Sequence, residues 1–141
     1  MTQRPISRGT SQDLTLHCLD QLGRPVEIEA TFHYDPHDPY AVELAFHAAG
    51  SDVSWWMART LLLRGLAGPE GEGDVLVWPS VDEDSRAVLV MEFRSPDGHL
   101  LAQADSEALQ AFLGRTLTAV PIGTESEHLD LDALTHYLLA S

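Results

Sequence analysis

The strongest constraint on this chain is a strict two-residue period. Val26, Ile28, Ala30, Phe32 and Tyr34 are apolar, and Glu27, Glu29, Thr31 and His33 are polar between them. Only a strand puts every second side chain on one face, so this segment must be β with one face buried. Leu14 to Asp20 alternates too, with Leu14, Leu16 and Cys18 on one face. Gly23-Arg24-Pro25 supplies turn chemistry between them, so the two read as a hairpin. Matching the apolar faces demands an odd loop, because a one-residue slip inverts every side chain. A loop over 22–24 would pair Leu16 with Ala30 and Cys18 with Ile28, and would set His17 against Glu29 and His33 against Asp13.

Asp35-Pro36-His37-Asp38-Pro39 then forms a stiff turn, since proline fixes φ and aspartate bonds the backbone ahead. Tyr40 to His47 alternates again, with Tyr40, Val42, Leu44 and Phe46 inward. Asp52 or Ser54 can cap a helix running to about Gly65. The second half repeats the order. Asp74 to Trp78 is a short strand closed by Pro79, Arg86 to Arg94 a strand apolar on both faces, and His99 to Ala104 a third. Asp105 or Ser106 caps a helix carrying Leu109, Phe112, Leu113 and Thr116 at helical spacing. A further helix is expected after Asp130, with Leu131, Leu134 and Leu138 on one stripe. The expected fold class is therefore α+β: a strand-rich, duplicated βββα body with a C-terminal helix. Residues 1–12 read as a flexible tail and 13–141 as a single domain, and a 44% hydrophobic composition is enough to build its core.

Charge narrows the function. Eight arginines and no lysine stand against 22 acids, a net charge of −14. Phosphate binding needs cations to displace counterions, so nucleic acid is a poor partner for such a surface. No run approaches the ~20 apolar residues of a membrane span, and no signal peptide is visible, so a cytoplasmic location without membrane insertion is expected. A single Cys18 excludes an internal disulfide and sits on the apolar face of its strand, where cysteine acts as a small hydrophobe.

Candidate chemistry is thin. His33, Asp35, His37 and Asp38, with His17 and His47 nearby, could ligate a metal, but ordinary cross-strand pairing with acids accounts for His17 and His33. Asp82-Glu83-Asp84 and Glu70, Glu72 and Asp74 lie in turn or Gly-rich segments, where nothing raises a carboxyl pKa for acid catalysis. Gly71-x-Gly73 has no helix after it and acids around it, so it is no phosphate loop. No catalytic residue, metal or cofactor is assigned. The segment with Trp55 and Trp56 carries more. On a helix, Trp55, Ala58, Leu61, Leu62 and Leu66 share the core face, while Trp56 and Leu63 lie on another side. Trp55, Trp56 and Leu63 are therefore the candidate partner or oligomer surface, because a helix apolar nearly all round is covered on more than one side.

Several motifs together carry a resemblance. They are Tyr34-Asp35-Pro36-x-Asp38-Pro39-Tyr40-Ala41-Val42, Trp55-x-x-Ala58-Arg59-x-Leu61-Leu62-x-x-Gly65-Leu66 and Gly73-Asp74-Val75-x-Val77-Trp78-Pro79-Ser80. Ser95-Pro96-Asp97-Gly98, Phe112-Leu113-x-Arg115-Thr116, Val120-Pro121-x-Gly123-Thr124-Glu125 and Leu129-Asp130-Leu131-Asp132 follow. The chain resembles the SsgA-like sporulation and cell division proteins of actinobacteria, with an SsgB-like member as the expected type, over about residues 13–140. The absence of lysine and asparagine agrees with a GC-rich genome. The resemblance implies a whirly-like, bell-shaped α+β fold, a homotrimer, and a non-enzymatic role at division septa. It implies partners among other SsgA-like proteins and the tubulin-like division protein FtsZ, which SsgB-type members recruit. Thr60, Met57 and Trp56 depart from what the family leads one to expect. The alternative, a single-stranded nucleic-acid-binding whirly-like module, rests on fold analogy alone, and fold does not fix function.

Overall fold

The computed structural model describes residues 9–48, 50–129 and 139. Strands β1 (Thr10–Leu19), β2 (Pro25–Tyr34), β3 (Ala41–Ala48) and β4 (Ser51–Ala58) lead into helix α1 (Arg59–Gly65). Strands β5 (Glu70–Glu72), β6 (Val75–Val81), β7 (Ala87–Ser95) and β8 (Gly98–Asp105) lead into α2 (Ser106–Ala119), and a single turn, α3 (Glu125–His128), follows. All eight strands form one sheet in the order β4-β3-β2-β1-β8-β7-β6-β5. Every neighbouring pair is antiparallel. The α+β class and the duplication hold, but each half is ββββα rather than βββα.

The sheet curls strongly. Trp55 on β4 and Phe93 on β7 lie five strand spacings apart in the order. On a flat sheet that would be about 24 Å. Their ring centroids are 5.1 Å apart. The inner face of the curl holds the core, including Leu16, Phe32, Leu44, Val77, Leu89 and Met91, and α1 and α2 fill one end of it. Asp105 caps α2 by accepting from Ala108 N–H at 2.9 Å. Leu109, Phe112, Leu113 and Thr116 form the helix's buried face. The Phe112 ring sits 5.8 Å from Phe32. Full burial of a side chain of this size contributes about 1.5–3 kcal/mol.

Four expectations need correction. First, β1 begins at Thr10, so the strand takes in the last three residues assigned to the tail; residues 1–8 lie outside the described set. Second, the hairpin loop is longer. Leu16 pairs with Ile28, Cys18 with Val26, His17 with Glu27, and His33 with Ser11. Asp20 builds the turn itself: its Oδ1 accepts from Leu22 and Arg24 N–H, each at 2.9 Å, and Gly23 takes φ 74°. The five residues 20–24 are thus outside the ladder, an odd number, so the faces match although the register moves by two.

Third, residues 51–58 are not helical. They pair along the whole of β3, from Ala48↔Ser51 to Ala41↔Ala58, around a tight turn in which Gly50 takes φ 86°. Asp52 and Ser54 do not cap: Asp52 lies 3.1 Å from His47 and Ser54 Oγ donates to Glu43 at 2.7 Å, both across the ladder. The helix starts only at Arg59, and Tyr40, read as inward, is exposed. Fourth, Pro79 does not close its strand. β6 continues to Val81, with Pro79 opposite Leu89, and Glu70–Glu72 adds the short β5 at its other side. β5 reaches only Val77, so Pro79 has one side with no ladder, where proline is tolerated. The expected helix after Asp130 falls on residues outside the described set.

Candidate interaction surface

Trp55 and Trp56 are consecutive on a strand, so they point to opposite faces. Trp55 turns inward, half-buried against Phe93. Trp56 turns outward, opposite Glu43, and is 58% exposed. Leu63 sits on α1, partly buried and packed on the core. The three candidates are therefore not one patch: Trp56 alone presents to solvent, while Trp55 and Leu63 mainly hold α1 and β4 to the core. The missed signal was a period of two inside Ser51–Ala58. Val53, Trp55 and Met57 share the inner face, and Asp52, Ser54 and Trp56 the outer one.

β4 is also an edge of the sheet. Arg59 N–H donates to Tyr40 O at 2.8 Å, which extends the β3–β4 ladder by one bonded pair. Bonded pairs alternate along an antiparallel ladder, so Val53, Trp55 and Met57 spend their backbone groups on β3. Asp52, Ser54 and Trp56 turn theirs to the open side, and they have no hydrogen-bond partner there among the described residues. Beside this edge lies a cavity of about 410 Å³ at the end of the curl opposite the helices. Phe46, Val53, Trp55, Phe93 and Leu100 form its apolar wall, and Asp20, Asp97 and His99 stand at its rim. Gln21 Nε2 donates to Asp97 O at 3.1 Å and ties two of the rim turns together.

The outer face divides by chemistry. Over β1–β3 it carries Asp13, Glu27, Glu29, Thr31 and Glu43. Over β6–β8 it is apolar: Val88 and Val90 are buried there beside Trp78, and Leu76 and Leu101 lie on either side of Glu92. This accounts for the strand that reads as apolar on both faces.

The helix end is sealed by Arg59, which is 1% exposed. One guanidinium nitrogen donates to Thr116 O at 3.0 Å and Val120 O at 2.7 Å, the last carbonyls of α2, and the other to Glu125 Oε1 at 3.0 Å. The group lies 5.1 Å over the Tyr34 ring, whose hydroxyl donates to Pro39 O at 2.8 Å. Backbone N–H donation, first from Gly123, and the Arg59 charge hold the Glu125 carboxyl below its ordinary range. Burial pushes the Tyr34 phenol up, and Arg59 opposes that shift. Three stretches that carried the resemblance, Ala58-Arg59, Arg115-Thr116 and Val120 to Glu125, thus meet in one clamp.

The histidines are dispersed. His17 lies 3.4 Å from Glu27, His37 3.9 Å from Asp35, and His33 Nδ1 shares a hydrogen bond with Ser11 at 2.8 Å. Among the described residues no three metal-ligating side chains are grouped. Asp82 Oδ1 accepts from Asp84 and Arg86 N–H, which makes it a turn residue. Burial pushes the Cys18 thiol up to about 11, so it is a thiol at neutral pH.

Residues 28–125 match the family model described as "Streptomyces sporulation and cell division protein, SsgA". The chain is 45% identical over 114 residues to the sporulation-specific cell division protein SsgB of Streptomyces coelicolor, covering 80% of this chain and 82% of that protein. It is 41% identical over 122 residues to SsgB of Frankia casuarinae, covering 86% and 85%. Among solved structures it superposes with TM-score 0.83 on a chain from work on SsgB mutations that correlate with longitudinal cell division during sporulation of Streptomyces coelicolor, at 39% identity, covering 90% and 100%. The SsgA-like sporulation-specific cell division protein of Thermobifida fusca also gives 0.83, at 32% identity, covering 96% and 98%. The motifs that meet around Arg59 fall inside the matched span, and the fold superposes on both solved structures over nearly their whole length: the chain belongs to the SsgA family and is of the SsgB type.

Proposed function

We propose that this chain is a non-enzymatic protein of sporulation-specific cell division, acting at division septa by recruiting an FtsZ-type division protein, alone or with other SsgA-like proteins, and working as a homo-oligomer, a trimer in the first instance. The observation that carries the division role is the similarity to SsgB proteins over four fifths or more of both chains. The side chains support docking rather than catalysis, with an exposed Trp56 and a strand edge at β4. A net charge of −14 makes the chain repel copies of itself and any acidic partner, so association has to rest on apolar and hydrogen-bonded surface.

Co-sedimentation with a purified FtsZ-type protein tests the reading, with sedimentation velocity reporting the oligomer. Raising salt from low to moderate should strengthen both associations, because screening falls to about 10 Å at 0.1 M. Loss of binding on adding salt would show an ionic interface and refute the charge reasoning. No binding at any salt would refute the FtsZ reading. Four of the arginines are already engaged: Arg24 with Asp20, Arg94 with Glu92, Arg59 in the clamp, and Arg115 with Thr10, Ser11 and Gln12. That leaves little for a phosphate-tracking groove, so single-stranded DNA should give no shift in a low-salt gel.

A further inference from the structure

We infer that the open edge of β4 and the cavity beside it form one docking site for an extended segment of a partner protein, which adds a ninth strand to the sheet and places an apolar side chain in the cavity, flanked by a basic residue. The inference stands on the edge geometry and does not depend on which protein the partner is.

Three observations converge. The outward N–H and C=O groups of Asp52, Ser54 and Trp56 lack partners on their open side among the described residues, and another strand satisfies such a row best. Natural sheets protect long edges with proline, lysine, bulges or covering loops. β4 is eight residues long, pairs with β3 at every position without a bulge, and carries Asp52 as its only charged residue.

Second, the two features share residues. Val53 and Trp55 are inner-face residues of the edge and also wall the cavity. A strand laid against β4 would have its own inner-face side chains next to Val53, which is 53% exposed, and directed into the mouth. Phe46 and Phe93 at the back of the cavity already stack edge-to-face at 5.6 Å, so an aromatic or branched aliphatic side chain fits the wall chemistry.

Third, the charge selects the occupant. Asp20 and Asp97 stand at the rim and Asp52 on the edge; Asp20 holds Arg24 at 2.9 Å, and Asp52 lies 3.1 Å from His47. A second copy of a chain with net charge −14 would meet repulsion there, whereas a partner segment with a basic residue would be attracted.

The probe is a fluorescein-labelled heptapeptide of alternating threonine and apolar residues with arginine at each end, titrated into the full chain by fluorescence anisotropy. Amide hydrogen exchange is followed on the same samples. Saturable binding with new protection at Asp52, Ser54 and Trp56 is expected. A peptide with glutamate ends should bind about tenfold more weakly. Ser54→Pro removes one outward N–H without touching the β3 ladder, and should weaken binding about tenfold or more. Ser54→Ala loses only the bond to Glu43 and should bind as the parent does. Val53→Glu puts a charge at the mouth from an exposed position and gives a second loss, so the result stands even if Ser54→Pro folds poorly. The inference is overturned if the peptide fails to saturate, or if a folded Ser54→Pro and Val53→Glu both bind like the parent. It is equally overturned if the three amides are already protected in the free protein and lose protection on dilution, because a second copy then holds the edge.

Discussion

Replacing Arg59 with methionine should be among the most damaging single changes in the chain, although the residue touches no exposed surface. The guanidinium makes three donations, to Thr116 O, Val120 O and Glu125 Oε1, and is 1% exposed. Methionine fills similar volume, so the packing loss over Tyr34 is small and the polar loss is isolated. Removing one partner of a buried ion pair destabilises by about 3–5 kcal/mol, because the groups left behind are desolvated without a partner. The lower end applies here, since the Glu125 side chain retains 12% exposure and can recover some water. For a chain of 141 residues, 1 kcal/mol moves Tm by about 3 °C, so a drop of about 10 °C is expected. Urea unfolding at pH 7 should show a lower midpoint with an unchanged slope. Arg59→Lys should fall between the two, because an ammonium cannot reach three acceptors while lying flat on an aromatic ring. A loss below about 1 kcal/mol for Arg59→Met would mean that water already serves the α2 carbonyls, and the clamp would not be what closes the helix end.

Gly65→Ala should destabilise by about 1–3 kcal/mol, because a Cβ there collides with the Val77 side chain where α1 crosses β6; an unchanged urea midpoint would show that the helix can shift freely. Glu125 and Asp20 both have carboxyl pKa values lowered by folding, mainly through backbone N–H donation from Gly123 and Arg24 respectively, so their contribution is complete above the ordinary values of 4.5 and 3.8 and is lost as pH falls through the lowered folded values. Urea midpoints measured down to pH 3 should therefore fall in that window, and Glu125→Gln should flatten the acid limb; an identical limb in that variant would remove Glu125 from the explanation. Trp56→Ala, at an exposed site, should change stability by no more than about 0.5 kcal/mol while altering association measured by sedimentation. A large stability loss with unchanged association would make Trp56 a plain packing residue.

The parts of the fold written in alternation were legible, and the rest shows why. β2 declares itself because Glu27, Glu29, Thr31 and His33 leave no other way to bury Ala30, Phe32 and Tyr34. α2 declares itself through its Asp105 cap and the spacing of Leu109, Phe112 and Leu113. β4 did not. Its inner row, Val53, Trp55 and Met57, is apolar, but Trp56 on the outer row breaks the alternation and Ala58 to Leu63 is helical in character. With both periods overlapping in a dozen residues, the helical one extends too far back. Tertiary pairing with β3 decides the matter, which propensity cannot see. The duplication is visible in order but one strand short in each half: β4 reads as part of the helix, and β5 is only three exposed residues, Glu-Gly-Glu, with no apolar face to announce it.

The same overlap explains why the candidate surface was half legible. Treating the stretch from an Asp52 or Ser54 cap to about Gly65 as one helix joins Trp56 to Leu63; splitting it into strand and helix sends Trp56 out to solvent and Leu63 onto the core. The physical consequence reaches further than one residue. A helix at 54–58 would have capped the sheet beyond β3 and satisfied its own backbone. A strand there leaves Asp52, Ser54 and Trp56 with outward peptide groups that no described residue meets. The two ends of the curl then differ in kind. The helix end is closed by a buried arginine whose acceptors come from α2 and the turn after it, so that guanidinium is committed within the fold. The hairpin end has an apolar cavity, an acidic rim and an open edge. In a chain of net charge −14, that end is where the described residues offer apolar and hydrogen-bonding groups together, whereas Val88 and Val90 on the outer face of β7 are already buried, so variants on β4 rather than on β7 should move partner binding.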